Sequence, residues 1–346
     1  MTVLITGARA PVALDLARKF HRSGVRVVTA DSAAAELCRS SNAVSRSHRV
    51  PPPRQAPDAY ADALVEIVRQ ESVDLIVPTC EEIFYVSRAR DRLLEHCDVL
   101  AAPLETMRRL HSKWEFVRLA QEFGLPVPDT TKVRNVVVKP EYSRFGTRVS
   151  RLRGEHVAQE LLEGSQTCTY SVVRDGVLKA HVAYAVDFTA SGACVSFQPT
   201  EAPAVDAWVS TFVGKLGFTG QISFDFIGDL PLECNPRATS GVHLLGDGLA
   251  RVLQGQTDGV LRADPRARRM LAAAMLSFGL AGVRSARDLR RWAAFVATAR
   301  DVVAEPGDRG PFAAQFGVLW SNWLRSLWTR RSIIECSTYD IEWNGP

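Results

Sequence analysis

The sequence predicts an α/β fold, and three observations carry that prediction. The opening reads as strand, turn, helix, strand; a second helix leads into the apolar run VDLIVP; and a later segment, GQISFDFIGDLPLEC, turns back on itself as a hairpin. In order along the chain, TVLIT is a buried strand, Gly7 to Pro11 a turn, Val12 to Ser23 a helix closed by Gly24, and VRVVTAD a second strand. A helix over Ala59 to Gln70 precedes VDLIVP, which completes an open parallel α/β domain of about a hundred residues. The stretch VPPPRQAPDAY (50 to 60) is a proline-rich surface loop within it. At PTCEEIF, Thr79 and Glu82 have the spacing of a capping box. The turn GARAPV lacks the second and third glycines of a dinucleotide fingerprint, and Arg9 and Pro11 would obstruct a pyrophosphate, so a nicotinamide site ending at Asp31 is disfavoured.

Composition narrows the function. With 346 residues, 46% hydrophobic and 23% charged, the chain has an ordinary globular balance, and its net charge of +4 is too small to argue for nucleic acid. Seven cysteines without a CxxC pair speak against a zinc site or a disulfide framework and for a reducing cytoplasm. The N-terminus has no signal-peptide character, and no stretch is apolar enough to span a bilayer. Only six of the 42 basic residues are lysines, so the place of each lysine carries information.

Two of them fall at element ends. In HSKWEFVRLAQEFGLPVP, Ser112 caps a helix with Glu115 three residues on, an apolar stripe follows, and Gly124 with Pro126 stops it; Lys113 therefore sits in the first turn, opposing the helix dipole unless an anion binds there. In NVVVKPEYSRFGTRV, Lys139 ends an apolar strand before a loop of small and polar residues. The hairpin carries the remaining chemistry. Glu233, Asn235 and Arg237 alternate along its second strand and share a face. Positions 225 and 233 are equidistant from residue 229, so Asp225 and Glu233 should face each other, an arrangement that costs energy without a cation between them. A hard divalent ion such as magnesium removes that cost, taking one or two carboxylates plus phosphate oxygens.

Together, Lys113 in SKWEFVRLAQEFGLPVPDT, Lys139 in VVVKP, the segment QELLEGSQTCTYSVVRDGVLKAHVAY and GQISFDFIGDLPLECNPRATSGVHL resemble the ATP-grasp superfamily, which includes biotin carboxylase, D-alanine:D-alanine ligase and carbamoyl-phosphate synthetase. The resemblance covers most of residues 1 to 250. It implies an ATP-grasp fold with an N-terminal α/β domain over 1–112, a lid over 113–187, a metal- and phosphate-binding unit over 188–250 with an antiparallel sheet, and a helical tail over 251–346. By resemblance, Asp225, Glu233 and Asn235 hold magnesium, Lys113 and Lys139 hold the phosphates of ATP, and Arg237 steadies the transferring phosphoryl group. Gln159 to Leu162 would be the hinge lying against adenine. Gln166 falls where relatives place a glutamate on the ribose hydroxyls. EYSRFGTRV has only one glycine where relatives have a richer phosphate-covering loop, and Ser223 replaces a basic residue of the D-alanine ligase branch. The implied reaction is ADP-forming ligation of a small carboxylic acid to an amine, with carboxyphosphate chemistry or a non-catalytic, ATP-binding regulatory or membrane-peripheral role as alternatives. The implied partners are small molecules and not nucleic acid, and the oligomeric state stays open, with a homodimer compatible.

His181 reads as structural and His243, eight residues beyond Asn235, as nearer to a substrate. In the tail, VLWSNWLRSLWTRR places Trp320, Trp323, Leu324, Leu327 and Trp328 on one helical face, with Arg325, Arg330 and Arg331 elsewhere. Packing of that face on the chain's own domain is the favoured reading, over contact with a membrane surface. IIECSTYDIEWNGP alternates weakly like a strand, and Asp340 and Glu342 have no evident chemistry.

Overall fold

In a computed structural model, which describes all residues but 131–135, 141–155, 191 and 346, the first domain alternates strands and helices. It comprises β1 (Thr2–Thr6), α1 (Pro11–Arg22), β2 (Arg26–Asp31), β3 (Arg46–Arg49), α2 (Pro57–Glu71), β4 (Leu75–Val77), α3 (Ile83–Arg88), α4 (Arg90–Leu94), β5 (Asp98–Val99), α5 (Leu104–His111) and α6 (Lys113–Glu122). The strands form one parallel sheet in the order β3-β2-β1-β4-β5. All five residues of β1 are buried, as a central strand covered by helices on both faces requires. The proline-rich stretch is shorter than its sequence suggested, because Pro57 occupies the first turn of α2, where a missing N–H costs nothing. The Gly7 turn is sterically set. Gly7 has a φ of 76°, and a Cβ there would lie 2.6 Å from the Thr79 hydroxyl.

Next come β6 (Val136–Pro140) and β7 (His156–Glu160), an antiparallel pair. The rest of the chain builds around a second sheet: β8 (Gln166–Arg174), β9 (Val177–Ala185), the small hairpin β10 (Thr189–Ala190) and β11 (Ala193–Cys194), β12 (Ser196–Pro199), α7 (Pro203–Leu216), β13 (Gly220–Ile227), β14 (Leu230–Asn235), a 3-10 turn over Ser240–Leu244, α8 (Gly248–Leu253), β15 (Leu261–Arg262), β16 (Arg269–Met270), α9 (Ala272–Ser277), α10 (Ala286–Thr298), β17 (Arg300–Asp301), α11 (Gly310–Thr329) and α12 (Ile333–Thr338). Strand order is β14-β13-β8-β9-β12-β16-β17, with β15 added to β9. The division placed at residue 187 is not where the sheets divide. β8 and β9 lie inside the large sheet next to β13, and the segment before Gln166 is the one that stands apart. The region beyond 250 is likewise more than a helical tail, since β15, β16 and β17 extend that sheet.

Two expectations for the tail are corrected. IIECST is a helix, started by a complete capping box between Ser332 and Glu335, a local bonding pattern that overrides a weak alternation. The tryptophan stripe of α11 does not pack on its own domain: Phe312, Phe316, Leu319, Trp320, Trp323, Leu324, Leu327 and Trp328 are 37% to 87% exposed.

Candidate active site

The site is built on the β13–β14 hairpin. Ile222, Phe224 and Phe226 of β13 are buried, with Phe224 and Phe226 edge-on to Trp208 of α7. Strand alternation then turns Ser223 and Asp225 to the other face. Asp225 pairs with Glu233, as the spacing predicted, but by a different route. The turn has two residues, Gly228 and Asp229, between the paired Ile227 and Leu230, and Phe226 pairs with Pro231. A regular ladder from that turn would set Asp225 opposite Leu232 and Glu233 opposite Phe224, on the core side. A bulge at Leu232 moves Glu233 one place and brings it to the face of Asp225.

Burial and the charge of Glu233 push the Asp225 carboxyl up to about 7. The Asn235 amide donates to Asp225 at 3.4 Å, and the Arg237 guanidinium donates to the Asn235 oxygen at 3.2 Å. From the other domain comes Lys113. Ser112 accepts from the Glu115 N–H at 3.2 Å and separates α5 from α6. Its cap makes Lys113 the first residue of α6, with a buried side chain whose Nζ is 3.1 Å from Glu233 Oε2. Glu115 does not close a full capping box, because its carboxylate pairs with Arg108. Asp225, Glu233, Asn235, Arg237 and Lys113 are thus brought together.

Other predicted residues fall elsewhere. Lys139 pairs with Val157 across β6 and β7, but its side chain lies outside the described residues, as does all of EYSRFGTRV after Pro140. Gln159 is buried in β7, Leu162 is half-buried in the connection to β8, and Gln166 is the exposed first residue of β8. His181 is buried between the Ser171 hydroxyl at 2.8 Å and the Asp206 carboxylate at 2.9 Å, a packing role. His243 meets Asp15 of α1 at 2.7 Å and lines a separate cavity of about 860 Å³ together with Lys19, Arg22, Arg269 and Arg300, away from the carboxylate pair.

Several neighbours of the site were not foreseen. His111, just before the cap, is held down to about 3 by burial and then by the positive charges of Lys113 and Arg237, so it is neutral at ordinary pH. Trp343 stacks on Phe84 with centroids 4.7 Å apart and lies 5.9 Å from the His111 ring, while its N–H donates to Glu81 at 3.2 Å. Burial raises the Cys80 thiol to about 12, against the pull of nearby Arg237. Glu82 closes this wall: it accepts from the N–H groups of Thr79 and Cys80 and from the Thr6 hydroxyl, so Thr79 and Glu82 form half of the predicted capping box. Apart from the capping-box spacing of Thr79 and Glu82, the advance signal was the position of His111 beside Ser112 and Lys113. Contacts of the C-terminal tail with the first domain leave no trace in local sequence pattern.

Comparison with solved structures places this arrangement. The chain is similar to the biotin carboxylase domain of 2-oxoglutarate carboxylase from Hydrogenobacter thermophilus, with a TM-score of 0.60 and 12% identity over 76% of this chain and 72% of that one. It is similar to N5-carboxyaminoimidazole synthetase from Staphylococcus aureus complexed with ADP, with a TM-score of 0.60 and 13% identity over 76% and 79%. These are ATP-grasp proteins, with a mixed α/β architecture that this chain shares. The chain has the ATP-grasp fold. L-amino acid ligase from Bacillus licheniformis is a further neighbour, with a TM-score of 0.55 and 16% identity over 72% and 69%. No family model and no curated protein matches the sequence.

Within the ATP-grasp fold the donor set can be tested for magnesium on its own chemistry. Two carboxylates and a carboxamide oxygen are hard ligands, and the Asp225–Glu233 repulsion is the kind that a divalent cation relieves. Among the described residues no cluster of three or more histidine, cysteine or acidic side chains could hold a metal alone. A cation here would complete its shell from water or phosphate oxygens, which is magnesium's habit.

Proposed function

We propose that the protein is an ATP- and magnesium-dependent ligase that activates a small carboxylic acid as an acyl phosphate for attack by an amine, releasing ADP and phosphate. The observation that carries this reading is the Asp225–Glu233 pair with Asn235 and Arg237 from the same hairpin and Lys113 from α6 brought to it. Magnesium held by Asp225, Glu233 and Asn235 would neutralise charge on the nucleotide phosphates. Lys113, already drawn to Glu233, supplies a fixed positive charge at the phosphate end, and Lys139 is assigned the same task from β6. Arg237, braced on Asn235, is assigned to stabilising charge on the phosphoryl group as it passes from ATP to the carboxylate. Gln159, Leu162 and Gln166, on the connection into the large sheet, are assigned to adenine and ribose. The fold is shared with an amino acid ligase and with a carboxylase crystallised with MgADP, which supports the cofactor pair.

The test is isotopic. With a panel of carboxylic acids bearing oxygen-18 and a panel of amines, label should appear in released phosphate, and ADP should form appreciably only when both substrates are present. AMP and pyrophosphate would mean an adenylate and overturn the mechanism. Turnover with bicarbonate alone would move the assignment to carboxyphosphate chemistry, and tight ATP binding without turnover would favour the regulatory reading.

A further inference from the structure

Helix α11 is amphipathic with its faces reversed. Toward the body of the protein it turns Gln315, Ser321, Asn322 and Ser326 with the small apolar Pro311, Ala314 and Val318, and Arg325 donates to the Cys336 carbonyl; toward solvent it turns its large apolar side chains, Phe316, Trp320, Trp323, Leu327 and Trp328, the last 87% exposed. A surface helix of a water-soluble domain has the opposite arrangement. The apolar stripe runs the length of a 20-residue helix, about 30 Å. It continues across a groove of about 270 Å³, lined by Phe316 and Leu319 of α11 and by Ala273, Ala274 and Phe278 on the α9 side, to the exposed Phe278 and Leu276. An apolar surface of that extent needs an occupant.

We propose that this face docks on the surface of an anionic lipid bilayer, with α11 lying in the plane of the interface. Charge selects the occupant. From Arg309 to Arg331 there is no acidic residue, and of the four arginines Arg309, Arg330 and Arg331 are exposed while Arg325 faces the body. A second copy bound through the same patch would bring the exposed arginines against their own counterparts with no carboxylate on the helix to meet them, because a two-fold contact uses one surface twice. Anionic headgroups accept the same charges favourably. The residue types agree, since tryptophan and phenylalanine with flanking arginine suit the boundary between headgroups and acyl chains. The contact proposed is peripheral, and no helix among the described residues is long and apolar enough to cross a membrane.

Sedimentation of the full chain with vesicles tests this without nucleotide, so its outcome is separate from that of the ligase reading. The expected result is binding to phosphatidylcholine–phosphatidylglycerol vesicles with a blue shift of tryptophan emission. Leu327→Ser with Trp328→Ser should lower the partition coefficient by roughly tenfold or more. Arg330→Gln should lower it about fivefold on anionic vesicles and leave pure phosphatidylcholine unaffected. These side chains are exposed, so circular dichroism and the thermal midpoint should stay as in the parent and confirm folding. Absence of vesicle binding, equal binding to neutral and anionic vesicles, or binding indifferent to these substitutions would each overturn the proposal. So would a dimer that Leu327→Ser and Trp328→Ser dissociate while no vesicles bind.

Discussion

Asp225 and Glu233 are two acids that the backbone forces together, and Lys113 offsets only part of their repulsion. Changing one member should therefore separate chemistry from stability. For Glu233→Gln we expect magnesium-dependent ATP turnover to be lost, while metal-free stability changes by no more than about 1 kcal/mol, because an amide oxygen still accepts from Lys113 and Asp225 is relieved of a like charge. Enzyme assay and thermal unfolding check the two halves, and full activity would contradict the metal assignment. Lys113→Ala should weaken ATP about 10- to 150-fold, the range for losing one charge-assisted hydrogen bond, read by calorimetry. Arg237→Ala should instead lower kcat by about 10²- to 10³-fold with little change in ATP affinity, the pattern of a group that acts on the transition state.

Two local devices aim these side chains. The bulge at Leu232 sets Glu233 on the face of Asp225, and the Ser112 cap starts α6 at Lys113, whose ammonium meets Glu233. Ser112→Ala should cost about 1 kcal/mol of stability and, on the proposed assignment of Lys113 to phosphate, should also raise the KM for ATP, since the first turn of α6 then frays at that residue. A stability loss with an unchanged KM would show that Lys113 is held by Glu233 alone. The cap was legible because Ser112, Glu115, Gly124 and Pro126 mark both ends of one helix. The bulge was not. The spacing gave the correct Asp225–Glu233 pair through an assumed symmetric hairpin, whereas the ladder uses a tighter turn and one extra residue, a choice made by packing Phe224 and Phe226 against α7.

At the scale of the molecule, the last residues tie the chain back to its first domain. Arg9 binds Asp31 at 2.6 Å and Asp340 at 2.7 Å, Ser32 also donates to Asp340, and Arg54 pairs with Glu342, just ahead of Trp343 beside the site. Arg9 is thereby held by Asp31, which gives that acid at the end of β2 a structural use. Burial alone would raise the Asp340 carboxyl, but Arg9 and Ser32 hold it below the usual carboxylate range. A depressed folded-state value means stability that is full above the unfolded value, near pH 4, and is lost as pH falls through the folded one. We expect Asp340→Asn to cost about 3 kcal/mol at neutral pH and to flatten the acid limb of the stability profile. Urea titrations across pH measure both, and an unchanged acid limb would mean that the tail is held mainly by Trp343 on Phe84.

What the sequence determined by itself was whatever depends on neighbours along the chain: the strand–helix alternation of the first domain, the Ser112 cap, the hairpin, and the facing pair of acids with Asn235 and Arg237 in phase. Tertiary structure decided the rest, for a common reason. β8 and β9 joined the large sheet because β8 pairs with both β13 and β9, Lys113 met Glu233 because Phe116 packs α6 against α7 and the hairpin, and Trp343 reached Phe84 from the far end of the chain. In α11 the periodicity announced an apolar stripe correctly but not which way it faces. The period fixes the spacing of a face, and only the surface available to cover it fixes its direction.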